Sequence, residues 1–275
     1  MKDIATIATT KEILEKYQLG ALKKFGQNFL IDINIIDKII TSVDINKKTA
    51  VIEVGPGIGA LTQRLALQSG KVISFEIDER FKPVYRDYLN FDNLNIIFGD
   101  FMEQDIAKVV LDLREEFDQV YLIANLPYYI TTPIIEKVLL SNCKIDKIVV
   151  MIQKEVALKM TGSLKNPLMM MIEDMGSIDY LFTVSKYVFI PAPHVDSAVI
   201  AIDIKKEADL KLYEVLKVCF KQRRKTILNN LKQHYDNAQE ILDNAKIESS
   251  KRSEELALED FKNITKFIEF HIIKW

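Results

Sequence analysis

Asn125-Leu126-Pro127-Tyr128 places four different chemical groups in consecutive residues: a side-chain amide, a main-chain carbonyl, a ring that removes an N–H, and an aromatic face. Such a set can hold a planar base bearing an amino group, with two acceptors for the amine hydrogens and a ring to stack on. The apolar run Val120–Ala124 before it reads as a buried strand ending at a loop. In open α/β sheets, ligands sit just beyond the carboxyl ends of the strands. The tetrapeptide also reads as an ordinary Asn-x-Pro turn, so the rest of the chain has to separate the two.

A second group of residues suited to ligand binding is Glu53-Val54-Gly55-Pro56-Gly57-Ile58-Gly59. Glycines after a strand let a ligand approach the main chain, and the following helix offers free N–H groups. Glu76 ends the next strand, where a carboxylate commonly accepts hydrogen bonds from ribose hydroxyls. Gly55-x-Gly57-x-x-Ala60 satisfies the loose dinucleotide fingerprint, so an NAD enzyme stays open here. Pro56 and the tighter spacing to Gly59 favour S-adenosylmethionine, which has no pyrophosphate to cradle. Asp100, after the third strand, is suited either to a cofactor adenine or to capping the next helix.

Positioning such groups requires alternating strands and helices. Strands are expected at Ala50–Val54, Lys71–Glu76, Leu94–Phe98, Gln119–Ala124, Lys147–Ile152, Ile178–Val184 and Ser197–Ile204. Helices are expected at Ala60–Gln68, Glu79–Leu89, Glu103–Glu115, Pro133–Leu140, Lys154–Met160 and around Leu168–Met175. Two more lead in, one opened by a capping box at Thr9-Thr10-Lys11-Glu12 and one over Asp32–Val43. The pattern predicts an α/β, Rossmann-like fold with a mainly parallel seven-stranded sheet covered on both faces. The last two strands are expected to give an antiparallel edge. After Lys205 only helical periodicity remains, to Trp275, with breaks near Asp236-Asn237 and Glu248–Ser250. The expected domains are therefore 1–204, catalytic, with a helical lead-in over 9–48, and 205–275, a small all-α domain.

Composition narrows the class. With 48% hydrophobic and 28% charged residues, the 275-residue chain has the make-up of a globular protein rather than a disordered one. Cys143 and Cys219 lie far apart and the three histidines are scattered, so neither a disulfide nor a zinc site is expected. The first residues lack a signal-peptide core and no apolar run approaches membrane-spanning length, which predicts a cytoplasmic protein with no membrane partner.

Six segments in order resemble the KsgA/RsmA family of small-subunit rRNA adenine N6,N6-dimethyltransferases across nearly the whole chain. They are Phe25-Gly26-Gln27-Asn28-Phe29-Leu30, Glu53–Gly57, Asn125–Tyr128, Gln153-Lys154-Glu155-Val156, Phe189–Val199 (with Pro191-Ala192-Pro193 and Val195-Asp196-Ser197) and Gln222-Arg223-Arg224-Lys225-Thr226. The resemblance implies S-adenosylmethionine as cofactor, with Asn28, Leu30, Gly55 and Gly57 around its methionine end, Glu76 on the ribose and Asp100 on the adenine. It implies Asn125, Leu126 and Pro127 at the target amine, and Tyr128 and Phe189 sandwiching the base. Without the resemblance Phe189 reads equally as a core aromatic, although two following prolines argue for an exposed, stiffened loop. The implied substrate is a pair of adjacent adenosines near the 3′ end of 16S rRNA in a pre-assembled small ribosomal subunit. No metal is implied, and a monomer is expected. One segment departs from the family: Thr161–Leu168 is short and carries Asn166-Pro167 where a Tyr-Gly pair is usual. The nearby Met169, Met170, Met171 and Met175 read as core filling.

Between Glu214 and Asp236 lie Lys217, Lys221, Arg223, Arg224, Lys225 and Lys232 with no acidic residue, a local +6 in a chain of net charge −2. Leu216, Phe220, Ile227, Leu228 and Leu231 lie on its apolar side. It reads as a solvated or membrane-surface helix face, or, in a chain that binds a base, as a phosphate-contacting surface centred on Lys221, Arg223, Arg224 and Lys225. Lys23 and Lys24 would extend it. Rivals remain: an Erm-type large-subunit rRNA methyltransferase, a DNA adenine methyltransferase, and a ribosome-assembly or transcription factor on this fold that no longer methylates.

Overall fold

Near-continuous apolar runs such as Ala50–Val54 and Lys147–Gln153 leave no polar face, so these strands have to be covered on both sides. A computed structural model describes residues 2–22 and 25–268. The main sheet is built from β2 (Thr49–Val54), β3 (Lys71–Glu76), β4 (Leu94–Phe98), β5 (Gln119–Asn125), β6 (Lys147–Gln153), β7 (Gly176–Val184) and β9 (Ser197–Ile204), and a separate pair from β1 (Phe29–Leu30) and β8 (Phe189–Ile190). The main sheet runs β4-β3-β2-β5-β6-β9-β7. Pairs β4–β3, β3–β2, β2–β5 and β5–β6 are parallel, and β9 returns antiparallel to β6. The chain thus winds outward from β2 in one direction and from β5 in the other. Between those two strands lies the switch point at which α/β sheets open a crevice.

The helices of this part are α1 (Ile7–Lys16), α2 (Ile33–Thr41), α3 (Ala60–Gln68), α4 (Lys82–Tyr88), α5 (Ile106–Arg114), α6 (Thr131–Leu140) and α7 (Lys154–Met160). Two differ from the sequence expectation. The cap of α1 is Thr6, whose hydroxyl accepts the Thr9 N–H at 3.2 Å, while the buried Thr10 hydroxyl donates to the Ile4 carbonyl at 3.0 Å. A capping box at Thr9 is therefore not formed. The single helix expected over Glu79–Leu89 is a 3-10 turn, Glu79–Phe81, followed by α4. Pro83 has no N–H to bond back to residue 79, so it is accommodated only in the first turn of a new helix.

The remaining helices are α8 (Pro167–Met175), α9 (Leu210–Cys219), α10 (Ile227–Leu231), α11 (Ala238–Asn244) and α12 (Leu258–Lys266). The chain divides into two compact units, Met1–Gly162 with Ile178–Lys205, and Ser163–Ser177 with Lys206–Trp275. Next to the boundary expected near residue 205 there is thus a second exchange, because α8 groups with the C-terminal helices. The cause is packing and charge: Met170, Met171 and Met175 are buried, and the buried Asp174 takes ion pairs at 2.8 Å from both Lys206 and Lys262. Asn166-Pro167 begins that helix, the Asn166 side chain accepting the Met169 N–H at 2.9 Å. The basic stretch is not one helix: the chain turns between α9 and α10, where Thr226 caps a fresh helix. Lys23, Lys24 and the periodicity of 269–275 fall outside the described residues. Among the described residues no helix is long and apolar enough to cross a membrane, and no group of three or more His, Cys, Asp or Glu side chains could hold a metal ion.

Candidate active site

The loop after β2 has Gly55, Gly57 and Gly59 at φ of 69°, 59° and 91°, a region that side-chain-bearing residues rarely enter. The N–H groups of the three glycines are engaged within the protein. Gly55 donates to the Phe75 carbonyl at 2.9 Å, Gly57 to the Glu76 carboxylate at 3.0 Å and Gly59 to the Pro56 carbonyl at 2.9 Å. Pro56 has none to give. With these three N–H groups engaged and Pro56 lacking one, the loop has fewer donors to offer a pyrophosphate, which favours a cofactor without one.

Glu76 is 3% exposed; one oxygen accepts the Asp78 N–H at 2.8 Å, and the other accepts Gly57 and the Tyr85 hydroxyl at 3.0 and 3.2 Å. Burial raises its pKa against the pull of these bonds. The Tyr85 hydroxyl also lies 2.7 Å from the Gly57 carbonyl. Its single proton serves one acceptor at a time, so turning toward Gly57 releases a lone pair of Glu76 for a ribose hydroxyl. Glu53, at 1% exposure, accepts the Ser74 hydroxyl at 2.7 Å, and burial pushes its carboxyl up to about 7.

The segment Phe25–Leu30 and the segment beginning at Phe189 form one piece of structure. β1 and β8 pair antiparallel with Phe29 opposite Ile190 and Leu30 opposite Phe189, and Ile31 N–H donates to the Val188 carbonyl at 2.9 Å. Gln27 ties this piece down: its amide donates to Asp78 at 2.8 Å and its oxygen accepts the Leu22 N–H at 2.9 Å. Burial disfavours the Asp78 charge, yet the Arg80 guanidinium at 2.7 Å and the Gln27 amide hold its pKa below the usual range. The Asn28 amide donates to the Gly26 carbonyl at 3.1 Å.

Asn125 ends β5 opposite Met151, and the Leu126 N–H donates to the Met151 carbonyl at 3.1 Å. Among the described residues no hydrogen bond engages the Asn125 side-chain amide or the Leu126 carbonyl. The Tyr128 hydroxyl shares a 2.7 Å hydrogen bond with Ser197, which fixes its ring. Phe189 is 3% exposed, not on an exposed loop; its strand pairing buries it, while Pro191 and Ala192 beyond it are exposed.

Asn28, Leu30, Gly55, Gly57, Glu76, Asn125, Leu126, Pro127, Tyr128 and Phe189 all line one open cleft. Asp100 does not line it. It follows β4, its carboxylate accepting the Met102 N–H at 2.8 Å as a cap. It nevertheless stands near the mouth, because after burial its charge is what raises the phenol pKa of Tyr129. Tyr129, 60% exposed, also lines the cleft, and a Cβ on Gly26 would meet its ring at 3.3 Å. Sequence reasoning missed Tyr129 and Tyr85, and gave Ser197 no role although it lay in the Val195-Asp196-Ser197 segment; the adjacency of Tyr129 to Tyr128 was the other available signal.

In the C-terminal unit, Lys221, Arg223, Arg224 and Lys225 are exposed on the turn after α9. The fully buried Asn230 pins that turn, accepting the Gln222 N–H at 2.9 Å and donating to the Gln222 and Thr226 carbonyls at 3.2 and 3.3 Å. The local charge is lower than the sequence count, because Glu254 pairs with Arg223 at 2.6 Å. Lys221 lies 3.1 Å from the His234 ring.

A family model described as ribosomal RNA adenine dimethylase matches residues 20–269. The ribosomal RNA small subunit methyltransferase A of Bacillus pumilus is 42% identical over 286 residues, covering 98% of each chain. That of Bacillus licheniformis is 41% identical over 94% of this chain and 95% of its own. Among solved structures, a dimethyladenosine transferase from Plasmodium falciparum superposes with a TM-score of 0.69 at 26% identity, covering 86% of this chain and 95% of that one. The 23S rRNA methyltransferase ErmE superposes at 0.64 with 24% identity over 87% and 98%, a likeness of fold alone.

Proposed function

The chain belongs to the ribosomal RNA adenine dimethylase family, and from that premise we propose that it transfers methyl groups from S-adenosylmethionine to N6 of two adjacent adenosines near the 3′ end of small-subunit 16S rRNA, giving N6,N6-dimethyladenosine in a pre-assembled subunit. The observation that carries this reading is the pair of acceptors, Asn125 Oδ1 and the Leu126 carbonyl, left without partners among the described residues in the cleft at the sheet's switch point.

The cofactor suits the residues present. A glycine loop whose glycine N–H groups are engaged within the protein, beside a buried carboxylate, suits a nucleoside without phosphates, and Glu76 has a lone pair to offer a ribose hydroxyl. Asp100 takes the cofactor adenine, and Asn28 and Leu30, beside Gly55, enclose the methionine end. S-adenosylmethionine supplies, when bound, a methyl group already activated on a sulfonium, so no strongly basic side chain is required.

The chain's own work is positioning. The adenine N6 lone pair is delocalised into the ring and nucleophilically weak. Asn125 Oδ1 and the Leu126 carbonyl accept its two N–H bonds, favour a pyramidal nitrogen and turn its lone pair into the cleft. Tyr128, held by Ser197, and Phe189 stack on the base and offset its removal from the RNA by about 1–3 kcal/mol each. Lys221, Arg223, Arg224 and Lys225 hold rRNA phosphates. Every one of these groups comes from a single chain, so a monomer suffices, and the substrate places the reaction in the cytoplasm.

The large-subunit alternative has only a fold-level likeness behind it, whereas relatives at 41–42% identity are named for the small subunit. A non-catalytic factor has no need of the assembled acceptor pair. The deciding experiment incubates the protein and S-adenosylmethionine with unmodified small subunits and measures rRNA nucleosides by mass spectrometry. Dimethyladenosine is expected with the wild type and not with Asn125→Ala, whose cofactor affinity stays within a few-fold. A wild-type rate in that variant, or no product from the wild type, would overturn the proposal.

A further inference from the structure

A second concavity lies at the carboxyl end of β6, lined by Lys154, Glu155, Leu158, Lys186, His194, Val195 and Asp196. It adjoins the wall of the base cleft through the backbone. Gln153 pairs with Ser197, the residue that holds Tyr128, and Lys154 N–H donates to the Asp196 carbonyl at 3.0 Å. Asn125 is opposite Met151, and Lys154 opens α7 directly after β6, at the same carboxyl end of the sheet as Asn125.

The two carboxylates of the lining are engaged, whereas its two lysine ammonium groups have no ion pair among the described residues. The Asp196 carboxylate is engaged by the Lys186 N–H at 3.1 Å, and the rim carboxylate of Glu155 is paired with Lys159 at 2.8 Å. The Lys154 ammonium has no ion pair among the described residues, and Lys186 donates only a long 3.4 Å bond to the His194 carbonyl. Next to Lys186 stands Tyr187, 76% exposed, with the lysine ammonium 5.4 Å from its ring centre. The turn Lys186–Val188 leads directly into Phe189, so this aromatic and the cleft wall share one rigid connection. An exposed aromatic beside unpaired cations, on a surface with apolar Leu158 and Val195, is the make-up of a single-stranded nucleic-acid platform.

We propose that this groove is the subsite for the nucleotide adjacent to the target adenosine, with Lys154 and Lys186 on its phosphate and Tyr187 stacked on its base. The inference rests on the dimethylase reading above: an enzyme that modifies two neighbouring adenosines has to seat one while the other occupies the cleft. The groove then determines which of the two enters, and how the RNA re-registers between them.

The test compares the wild type with Tyr187→Ala and with the double variant Lys154→Ala, Lys186→Ala. Affinity is measured for a single-stranded RNA oligonucleotide carrying adjacent adenosines over a range of salt, alongside KM for small subunits and the dissociation constant of S-adenosylmethionine. Tyr187→Ala is expected to weaken RNA binding about 5- to 160-fold. The lysine variant should lower the slope of log affinity against log salt by about 0.7 for each phosphate it no longer neutralises. Unchanged cofactor affinity shows that both variants are folded. Unaltered RNA affinity and salt slope in both would overturn the subsite. So would a loss confined to whole subunits with oligonucleotide binding intact, which would assign the groove to a ribosomal protein. A wild type that binds the oligonucleotide but methylates no subunit would count against the dimethylase reading instead, and the oligonucleotide data would still decide the groove.

Discussion

Replacing Glu53 with Gln isolates the electrostatics beneath the glycine loop. The carboxyl is 1% exposed and accepts the Ser74 hydroxyl at 2.7 Å, a bond that the Gln oxygen can keep. Burial raises its pKa from an ordinary 4.5 to about 7. Below pH 4.5 both folded and unfolded chains carry the proton, and the neutral group contributes its full stability. Between 4.5 and 7 the folded chain binds the proton and the unfolded chain releases it, so stability falls as pH rises. Above 7 both are ionised and the loss is complete. At 1.36 kcal/mol per pKa unit it amounts to about 3 kcal/mol. Gln stays neutral throughout and suffers no such loss. Urea unfolding of both proteins without cofactor, at pH values from 4.5 to 8, gives the two curves. Their difference cancels the titrations they share. The variant is expected to gain about 3 kcal/mol relative to wild type across that range, half of it by about pH 5.5–6. A difference that stays constant with pH would refute the reasoning and mean that Glu53 is ionised in place.

Tyr128→Phe keeps the ring and removes the bond to Ser197, which at about 0.5–1.5 kcal/mol lowers kcat/KM some 2- to 13-fold. Tyr128→Ala also removes stacking worth about 1–3 kcal/mol, and equal losses in the two variants would contradict the stacking role. Gly59→Ala places a Cβ 2.5 Å from a Leu89 methyl at φ 91°; the leucine can shift, but the backbone strain remains, so thermal melting is expected to show a loss of about 1–2 kcal/mol. An unchanged melting temperature would mean that the loop re-forms. In filter-binding titrations with rRNA, Arg224→Glu should weaken affinity more than Arg223→Glu, because Glu254 already pairs with Arg223. Each phosphate no longer neutralised should flatten the salt slope by about 0.7–0.9, and equal effects of the two variants would remove Glu254 from the account.

The sequence alone determined what depends on neighbours along the chain. Apolar runs marked the central strands of the main sheet, because a strand covered on both faces has no polar side to show. Three glycines at loop spacing marked positions of positive φ, because only glycine enters that region without cost. Asn125-Leu126-Pro127-Tyr128 marked a strand end with acceptors, because its groups are consecutive. The tertiary structure decided everything that depends on residues far apart in sequence. Only folding showed that Leu30 pairs with Phe189, which buries a ring that proline-rich sequence had suggested was exposed. Only folding showed that Glu76 accepts the Gly57 N–H, that Glu254 neutralises Arg223, and that α8 leaves its sequence neighbours for the C-terminal helices. Periodicity and turn chemistry act over a few residues and are written locally. Charge pairing, burial and the sharing of one proton among three oxygens depend on distances in space, which the order of residues does not contain.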